Sequence, residues 1–450
     1  MRLSDLRGRS VAVWGTGREG RAAVTAVAAH GPASLVAVDD SASFLSLPWD
    51  GVLAQTAPLY TGPDGFEQLA AAEVVVRSPG VPQTHPWLAE LRERGVTVTG
   101  GTALWMADHA ACTVGVTGSK GKSTTSSLIS QLLAAVGRPN VFGGNIGVPL
   151  LDLPPAELYV LELSSYQCSD LTDSPRVAVV TSLFPEHLDA HGGEREYYRD
   201  KLNLLDHGPE TIIVNGTDPR LAAEIGDRPV IRAGTPDTFH VAPGPDGTPY
   251  LFAADQPLFP RAALPLVGRH NEGNLCVALA VLTALGVDCV AERETLAGAV
   301  AAFQGLPHRL TEIEDPSGVM FVDDTLATSP YSAMHAIDAY EGRPLTVIVG
   351  GNDRGLDYSP LRDHLAQRGD INVIGIPDSG PRIIELLRDL PSVHTELADD
   401  LVAAVRQARK LTPTGGVVLL SPAAPSYGRF RNFEHRSEVF AQAIRDTAVG

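Results

Sequence analysis

Short apolar runs rich in valine and isoleucine recur along the whole chain, and they alternate with longer stretches rich in alanine and leucine. The runs are VAVWG, LVAVD and EVVVRSPG, then TVGVTG, LYVLELSS, VAVVTSL and TIIVNG, and finally VMFVDD, LTVIVGG, INVIGI and GVVLLSP. Strands that alternate with helices are typical of parallel sheets joined by crossover helices. The pattern therefore predicts an α/β fold built on parallel sheets.

The length of the chain and its changes of composition predict three domains. A chain of 450 residues exceeds what one hydrophobic core usually covers. We predict a Rossmann-like domain over residues 1–100, a central P-loop-type ATPase domain with a mostly parallel sheet over 101–305, and a C-terminal Rossmann-like domain over 306–450. Between Asp227 and Gly268, short segments rich in proline and glycine predict antiparallel strands added to the central domain.

The charge and the cysteine content restrict the possible partners and the compartment. The net charge of −18 argues against nucleic acid or an anionic membrane surface as a partner. The chain opens without a signal-peptide pattern, and no apolar run reaches the roughly 18 residues of a membrane span. The four cysteines are widely spaced, which favours reduced thiols. We therefore expect a soluble, cytoplasmic protein without membrane insertion, and we predict a monomer.

The stretch TVGVTGSKGKSTTSSL at 113–128 is the strongest local signal. An apolar strand runs into a turn of Gly, Ser and Lys, and a helix is predicted to begin at Lys122. Such a turn presents N–H groups to an anion, Lys122 neutralises phosphate, and the Ser123 hydroxyl can bind Mg²⁺. The stretch departs from GxxxxGK[ST], because Val116 stands where that pattern begins, so a glycine-rich turn with a chance lysine is the competing explanation. We predict an ATP-binding loop made of Gly118, Ser119, Lys120, Gly121, Lys122, Ser123 and Thr124.

Two polar residues after later strands extend this site. Glu162 ends the strand LYVLEL, and a carboxylate at the end of a strand beside a phosphate loop is suited to bind Mg²⁺ together with Ser123. A buried ion pair is the alternative for Glu162. Asn145 follows a glycine pair, and its neutral amide can donate a hydrogen bond to a substrate amide or sugar.

The segment VAVWGTGREGRAAV places Gly15, Gly17 and Gly20 between a strand and a helix, and Asp39 and Asp40 follow the next strand. This spacing is the dinucleotide-binding fingerprint, so an NAD-dependent enzyme is one interpretation. The helix N-terminus after this turn can bind a diphosphate, and the spacing alone does not identify which one.

The form TGSKGKST resembles the loop of the Mur ligases and the folylpolyglutamate synthetases, ATP-dependent enzymes that form amide bonds. Further blocks occur in the order found in the MurD ligases and span most of the second and third domains. They are GGNIGVPLL (143–151), LELSSYQ (161–167), PEHLDAHG (185–192), YYRDKLNLL (197–205), GRHNEGNL (268–275), GLPHRL (305–310) and SPAAPSYGRFRNFEHR (421–436). The resemblance implies addition of glutamate to UDP-N-acetylmuramoyl-L-alanine through an acyl phosphate, with ATP converted to ADP and phosphate.

The same resemblance implies three catalytic residues, namely Lys122, His187 and Lys201. His187 would bind a second Mg²⁺ or position the acyl phosphate. Lys201 looks like a solvated helix lysine, but the matching lysine of the family is carbamylated by CO₂ and then binds Mg²⁺. The base that deprotonates the incoming amine stays open between His187 and a metal-bound oxygen. The implied metal ligands are Ser123, Glu162, His187 and carbamylated Lys201.

Substrate-binding residues also follow from the resemblance. Asn271 and Asn274 match positions on the adenine side, although both also fit helix caps. Arg309 and Asp324 match residues that reach the nucleotide from the third domain. The first domain of the family holds the UDP portion. The predicted UDP-substrate site therefore consists of Gly15, Thr16, Gly17, Arg18, Asp39, Ser78, Pro79, Gly80 and Asn145.

The third domain is expected to bind glutamate. Thr328, Ser426 and Phe433 match residues of that pocket, and Arg354 stands where the family has a lysine that pairs with the glutamate side chain. D-glutamate-adding enzymes generally read DSKATN where this chain reads DTLATSP, so Leu326 replaces a lysine. This departure and WGTGREGRAA resemble the MurD subclass that adds L-glutamate, and we favour L-glutamate over D-glutamate.

Three other functions compete with this prediction. A folylpolyglutamate synthetase usually lacks a separate N-terminal UDP domain and the SPAAPS ending. An NAD-dependent oxidoreductase would use the fingerprint of the first domain, and a regulatory nucleotide-binding protein would use the loop without catalysis. Phosphate release that depends on an added amino acid would separate the ligase from the other two classes.

Overall fold

The computed structural model describes residues 1–40, 49–145, 148–244, 246–266, 268–305, 308–353, 355–426 and 428–448. The chain divides into two compact units. Unit 1 comprises Met1–Leu264 and Glu272–Phe303, and unit 2 comprises Pro265–Asn271 and Gln304–Gly450. Unit 1 contains the sheets of the first two predicted domains and unit 2 contains the sheet of the third. The domain boundaries near residues 100 and 305 stay a prediction.

The first sheet of unit 1 has five strands, β1 Ser10–Trp14, β2 Ser34–Asp39, β3 Leu59–Thr61, β4 Val74–Arg77 and β5 Thr97–Gly100. Its helices are α1 Arg18–Ala29, α2 Gly51–Thr56, α3 Gly62–Ala71, α4 Pro86–Glu93 and α5 Gly101–His109. The strands are all parallel, in the order β3-β2-β1-β4-β5. This is the Rossmann strand order without its sixth strand, and ligands bind such sheets at the carboxyl ends of the strands.

The second sheet of unit 1 has six parallel strands, β6 Thr113–Thr117, β7 Val141–Gly144, β8 Tyr159–Glu162, β9 Val177–Val180, β10 Thr211–Asn215 and β11 Ile231–Ala233. Their order is β11-β10-β9-β6-β8-β7, so β6 lies inside the sheet. The helices of this region are α6 Lys122–Ala135, α7 Ser165–Cys168, α8 Leu188–His191, α9 Glu194–Leu202, α10 Pro219–Ile225, α11 His270–Ala284 and α12 Arg293–Ala301. Strands β6, β8 and β9 are buried throughout, as their continuous apolar runs predict.

The predicted antiparallel addition is confirmed. Strands β12 Phe239–Pro243, β13 Pro249–Ala253 and β14 Gln256–Pro260 form a separate three-stranded antiparallel sheet. Leu251 and Phe259 are buried, and the exposed positions of the three strands are prolines and Gln256.

Unit 2 has one sheet with the strands β15 Thr311–Ile313, β16 Met320–Asp323, β17 Leu345–Val349, β18 Ile371–Gly375, β19 Val393–Leu397 and β20 Val417–Leu420. Its helices are α13 Pro330–Asp338, α14 Ser359–Gln367, α15 Gly380–Leu387, α16 Leu401–Leu411 and α17 Phe433–Thr447. The order is β15-β16-β20-β17-β18-β19, and only β15 is antiparallel to its neighbour. Apolar cores cover both faces of the sheet.

The predicted fold class and every predicted strand are confirmed. The edge strands of the three larger sheets were not predicted, because they are short or lack the valine-rich pattern. None of the helices in the described part of the chain is long and apolar enough to cross a membrane.

Candidate active site

The predicted phosphate loop joins β6 to α6 at the carboxyl edge of the second sheet. Gly121 is the N-cap residue of α6 and has φ = 85°, in the left-handed region that favours glycine. A Cβ atom on Gly121 would lie 2.5 Å from Oδ1 of Asn274, so a larger residue does not fit. The helix therefore starts directly from a tight turn, and its N-terminus is available to an anion.

The loop is held by the segment that follows β9. The Ser119 N–H donates to the carbonyl oxygen of Ser182 at 2.8 Å, and the Lys120 N–H donates to the Ser182 hydroxyl oxygen at 2.9 Å. The Ser119 hydroxyl lies 2.9 Å from the Tyr197 hydroxyl on α9 and 2.7 Å from the Phe184 carbonyl oxygen. These bonds fix the loop shape from neighbouring elements, so the anion site is preorganised.

Three lysines converge on this loop. Lys122 Nζ donates to the carbonyl oxygen of Gly118 at 2.8 Å, and Lys201 Nζ donates to the same oxygen at 2.9 Å. The third is Lys120. The whole chain has only four lysines, and the fourth, Lys410, is exposed on α16. The scarcity of lysine in an otherwise arginine-rich set of basic residues is a sequence signal that would have marked Lys201 as functional.

Lys201 is buried, and its interpretation as a solvated lysine is wrong. Its ammonium group lies 4.9 Å from the centre of the Tyr197 ring. Burial lowers the pKa of the Lys201 amine from 10.5 to about 7, and the charge of Lys122 acts in the same direction. Near neutral pH a large fraction of this amine is therefore uncharged.

Glu186 and His187 lie beside the lysines. Lys120 Nζ is 3.0 Å from Oε1 of Glu186. Burial by itself would raise the pKa of Glu186, but the charges of Lys120, His187 and Lys122 outweigh it and bring this pKa down to about 2. His187 precedes α8 with φ = 54°, and burial lowers the pKa of its imidazole to about 4. His187 is therefore a neutral ring near pH 7.

Glu162 ends β8 and is the register partner of Val116, just before the loop. Its Oε1 atom accepts a hydrogen bond from the Asn145 amide at 2.9 Å. Its Oε2 atom is buried and has no hydrogen-bond partner among the residues that the structure describes. Within that part of the chain Glu162 forms no ion pair, so the buried ion pair weighed above is not observed. Ser123 is buried in the first turn of α6.

The structure brings the predicted metal ligands to one edge of the second sheet without forming a closed cluster. In the described ranges, no group of three or more His, Cys, Asp or Glu side chains is arranged to hold a metal ion. Ser123 and Glu162 flank the loop, and the charge of Lys201 contributes to the lowered pKa of His187.

The residues of the predicted UDP-substrate site other than Asn145 lie at the carboxyl edge of the first sheet, whereas Asn145 follows β7 of the second sheet. The N–H and hydroxyl groups of Thr16 donate to Oδ2 of Asp39 at 2.9 and 2.5 Å, and the Asp40 N–H donates to Oδ1 of Asp39 at 3.0 Å. Ser78 lies against Gly15, with its hydroxyl 3.2 Å from the Gly15 carbonyl oxygen. The other predicted residues of this edge are more exposed, namely Gly17, Arg18, Pro79 and Gly80.

The loops of the first sheet contact the helices of the second. Arg77 is fully buried and pairs with Asp170 at 2.5 Å. The Gln167 amide on α7 donates to Oε1 of Glu19 on α1 at 3.3 Å, and burial raises the pKa of Glu19 to about 7. These contacts join the edge of the first sheet to α7, which follows Glu162.

Asn271 and Asn274 lie inside α11, which begins at His270. Their interpretation as helix caps is therefore wrong. Both side chains are buried, and Asn274 adjoins the phosphate loop through Gly121.

In unit 2, the segment DTLATSP follows β16. The Ser421 hydroxyl donates to Oδ2 of Asp324 at 2.8 Å. Ser329 and Pro330 are the N-cap and first residue of α13, and the Ser329 hydroxyl accepts a hydrogen bond from the Ser332 N–H. The SP pair is thus explained by helix initiation.

A buried arginine from α17 holds this segment. Arg436 is fully buried and donates to both the hydroxyl and the carbonyl oxygen of Thr325, each at 2.7 Å. It also donates to the Ala424 carbonyl oxygen at 3.2 Å, and burial lowers its pKa to about 10. The bonds of Arg436 connect the segment after β16 with the segment after β20.

The predicted glutamate residues lie on these same segments. Thr328 is half-buried before α13, Ser426 is buried after β20, and Phe433 begins α17. The Phe433 ring lies 5.9 Å from that of His308, whose Nδ1 atom is 2.9 Å from Oδ2 of Asp323. Arg309 is half-buried before β15, and the predicted Arg354 lies outside the described residues.

Residues 116–282 match the model of the Mur ligase middle domain. A relative from Micromonospora sp., named UDP-N-acetylmuramoyl-L-alanine--L-glutamate ligase, is 81% identical over 448 residues, which cover 100% of this chain and 99% of the relative. A relative of the same name from Xanthomonas oryzae pv. oryzae is 39% identical and covers 98% of this chain and 96% of its own.

Solved structures match over the whole length at low identity. The UDP-N-acetylmuramate-alanine ligase MurC from Thermotoga maritima has a TM-score of 0.58 at 16% identity, covering 98% of this chain and 100% of its own. The MurF ligase from Thermotoga maritima in complex with ADP has a TM-score of 0.58 at 18% identity, covering 99% and 97%. At this identity the two structures support the fold alone.

Proposed function

Because the chain belongs to the MurD-type glutamate ligases of the Mur ligase family, we propose that it joins L-glutamate to UDP-N-acetylmuramoyl-L-alanine through an acyl phosphate, with ATP converted to ADP and phosphate. The observation that carries this proposal is the convergence of Lys120, Lys122 and Lys201 on one preorganised loop. We expect the protein to act in peptidoglycan synthesis in the cytoplasm.

Lysine side chains can offset the charge repulsion between the two reactants of the first step. A carboxylate oxygen of the substrate must attack the γ-phosphorus of ATP, and both partners are anions. Lys122 donates to a loop carbonyl oxygen and Lys120 belongs to the loop itself, so positive charge lies where the phosphates would bind. The bond between the γ-phosphorus and its bridging oxygen breaks as ADP forms. The uncharged amine of glutamate then attacks the acyl carbon and loses a proton to a base, while the carbon–oxygen bond to the phosphate breaks and phosphate leaves.

The residues present fit Mg²⁺. Glu162 has one buried oxygen without a partner in the described chain and a second oxygen oriented by Asn145, which is the arrangement of a positioned metal ligand. We propose that Glu162 and the Ser123 hydroxyl hold one ion and that His187 helps to hold a second. When bound, Mg²⁺ neutralises phosphate charge.

His187 suits a ligand better than a base. Burial keeps its imidazole neutral, with a pKa of about 4. A general base works best when its pKa lies near the operating pH, which disfavours His187 for removal of the amine proton. We therefore propose a ligand role for His187.

Lys201 fits carbamylation. Only an uncharged amine attacks CO₂, and burial brings the pKa of Lys201 to about 7. The nitrogen forms a bond to the carbon of CO₂, one C=O π bond opens to a carboxylate, and a proton leaves the nitrogen. The product would turn a buried cation into an anionic oxygen donor beside His187.

The diphosphate of the UDP substrate is proposed to bind at the glycine turn after β1. Both oxygens of Asp39 are bonded within the protein, by Thr16 and by the Asp40 N–H. Asp39 thereby supports the substrate site by holding the Gly15–Gly17 turn.

The choice of L-glutamate rests on two observations. The relatives of highest identity reported above carry L-glutamate in their names. Leu326 also leaves no cation at the position where D-glutamate enzymes have a lysine. We propose that Thr328, Ser426 and Phe433 line the pocket, and that Arg354 pairs with the side-chain carboxylate.

The test is phosphate release by the purified protein with ATP, Mg²⁺ and UDP-N-acetylmuramoyl-L-alanine. We expect release with L-glutamate and little with D-glutamate. Exclusive use of D-glutamate would overturn the proposed isomer but not the MurD-type reaction. Glutamylation of a folate, with no turnover of UDP-N-acetylmuramoyl-L-alanine, would overturn the proposed substrate. Lys122→Ala should abolish turnover, with the exposed Lys410→Ala as the matched control.

A further inference from the structure

Three buried side chains form a hydrogen-bonded chain that has no role in the function proposed above. The Ser165 hydroxyl lies 2.9 Å from Nε2 of His191, and Nδ1 of His191 lies 2.7 Å from Oδ2 of Asp200. All three side chains are buried. When the imidazole is neutral, donation from Nδ1–H to the carboxylate leaves Nε2 to accept the serine proton. We call this arrangement the Ser165–His191–Asp200 relay.

The relay joins three segments that each carry a proposed metal ligand. Ser165 begins α7, just after Glu162 at the end of β8. His191 ends α8, which His187 precedes. Asp200 directly precedes Lys201 on α9. Each member of the relay is therefore close in sequence to one proposed metal ligand.

Aromatic rings fill the space between the relay and the ligands. The Tyr166 ring stacks on His191 at 5.0 Å and lies 5.3 Å from His187. Tyr197 contacts His191 edge-on at 5.4 Å and lies beneath the Lys201 ammonium. Movement of the His191 ring would therefore displace the surroundings of both ligands.

The second oxygen of the Asp200 carboxylate is also held. Arg199 donates to Oδ1 of Asp200 at 2.9 and 3.1 Å. The carboxylate thus has a fixed orientation on α9, and the distances in the relay are set by α7, α8 and α9 together. Buried hydrogen bonds with all partners satisfied favour one arrangement of the elements that they join.

We infer that the Ser165–His191–Asp200 relay is a positioning network that holds Glu162, His187 and Lys201 in the arrangement needed to bind metal. This inference rests on the proposed function, which makes those three residues metal ligands. Hydrogen bonds behind a metal site orient its ligands, and their loss typically lowers metal affinity or activity by about 10- to 100-fold.

The same order of groups also occurs in hydrolases, where the serine is a nucleophile. Ser165 is only 3% exposed and follows a capping box formed by Ser164 and Gln167. A buried hydroxyl that starts a short helix is poorly placed to attack a substrate. The positioning role therefore fits the geometry better than covalent catalysis.

The test compares Asp200→Asn and Ser165→Ala with Ser174→Ala. Ser174 is the matched control, because its buried hydroxyl accepts a hydrogen bond from the His207 N–H at 3.0 Å in the same unit. Three readouts are needed: Mn²⁺ affinity by electron paramagnetic resonance with ADP present, the carbamate signal of Lys201 in ¹³C NMR under ¹³CO₂, and kcat and KM in the ligase assay.

We expect both relay variants to lose about 10- to 100-fold in Mn²⁺ affinity and kcat, with KM for ATP changed by less than about threefold. They should also have a weaker carbamate signal than Ser174→Ala. Values within about twofold of wild type in both variants would overturn the inference. If Asp200→Asn does not fold, the result for Ser165→Ala, which removes a single oxygen atom, decides whether the inference holds.

Two controls separate the possible failures. Absence of ligase turnover by the wild type would count against the proposed function, while the Mn²⁺ comparison still tests the relay. A fluorophosphonate probe should leave the wild type unlabelled at Ser165. Covalent labelling at Ser165 would overturn the positioning role in favour of a nucleophile.

Discussion

Replacing Lys201 by methionine would remove a buried amine and keep an unbranched side chain. Burial lowers the pKa of this amine from 10.5 to about 7 in the folded protein. Between these two pH values the unfolded chain binds more protons than the folded protein. The free energy of unfolding therefore increases as the pH is raised from about 7, and it decreases as the pH is lowered toward about 7. At about 1.4 kcal/mol for each pKa unit, the wild type should gain roughly 2 kcal/mol between about pH 7 and about pH 9 from this residue.

The Lys201→Met variant should lack that gain. The measurement is urea denaturation followed by circular dichroism across this pH range, with EDTA and CO₂-free buffer so that neither metal nor carbamate contributes. The informative quantity is the difference in the free energy of unfolding between wild type and variant at each pH, because the contributions of the other titrating groups cancel in this difference. Exposed Lys410→Met is the matched control.

A direct titration checks the same reasoning. Because the chain has four lysines, ¹³C labelling at the lysine Cε gives four NMR resonances. The resonance that disappears in Lys201→Met should titrate near pH 7. A stability difference that stays constant across the pH range, or a Lys201 resonance that titrates near 10.5, would refute the argument from burial.

Three further substitutions test other contacts. Gly121→Ala should weaken ADP binding by at least about tenfold in calorimetry, because the alanine would be strained in the left-handed conformation and its Cβ atom would clash with Asn274. Gly137→Ala is the control: Gly137 also has a left-handed φ of 73°, but the space around it is open, so ADP binding should be unchanged. Arg436→Lys should lower the free energy of unfolding by about 3 kcal/mol in a denaturant titration, since lysine cannot bond both oxygens of the segment after β16; an unchanged midpoint would contradict this. Asn145→Ala should reduce Mg²⁺-dependent turnover about 10- to 100-fold by releasing the oriented oxygen of Glu162, and full activity at ordinary Mg²⁺ concentration would contradict that role.

The central strands and the phosphate loop could be predicted because their signals are local. A buried parallel strand such as β6 must be continuously apolar, and a turn like that before Lys122 needs glycine. Edge strands such as β11 and β15 are only three residues long and partly exposed, so their sequences carry little pattern. Tertiary hydrogen bonds, and not propensity, determine that they pair.

The candidate active site likewise contains residues that local sequence predicts and residues that only tertiary contacts bring together. Lys122 could be assigned from its neighbours in sequence, but Lys201 looked like a surface residue because its burial depends on Tyr197 and on a loop 83 residues away. The bond between Asn145 and Glu162 and the relay through His191 likewise join distant segments. Such contacts arise only when the sheet brings the segments together.

The short edge strands also affect how copies of this chain meet one another. Strands β3, β11 and β15 each close one side of a sheet with three residues, and β15 runs opposite to its neighbour. A second copy that paired along these edges would gain few main-chain hydrogen bonds before the register ended. These three edges thus offer a second copy of the chain little template for strand pairing.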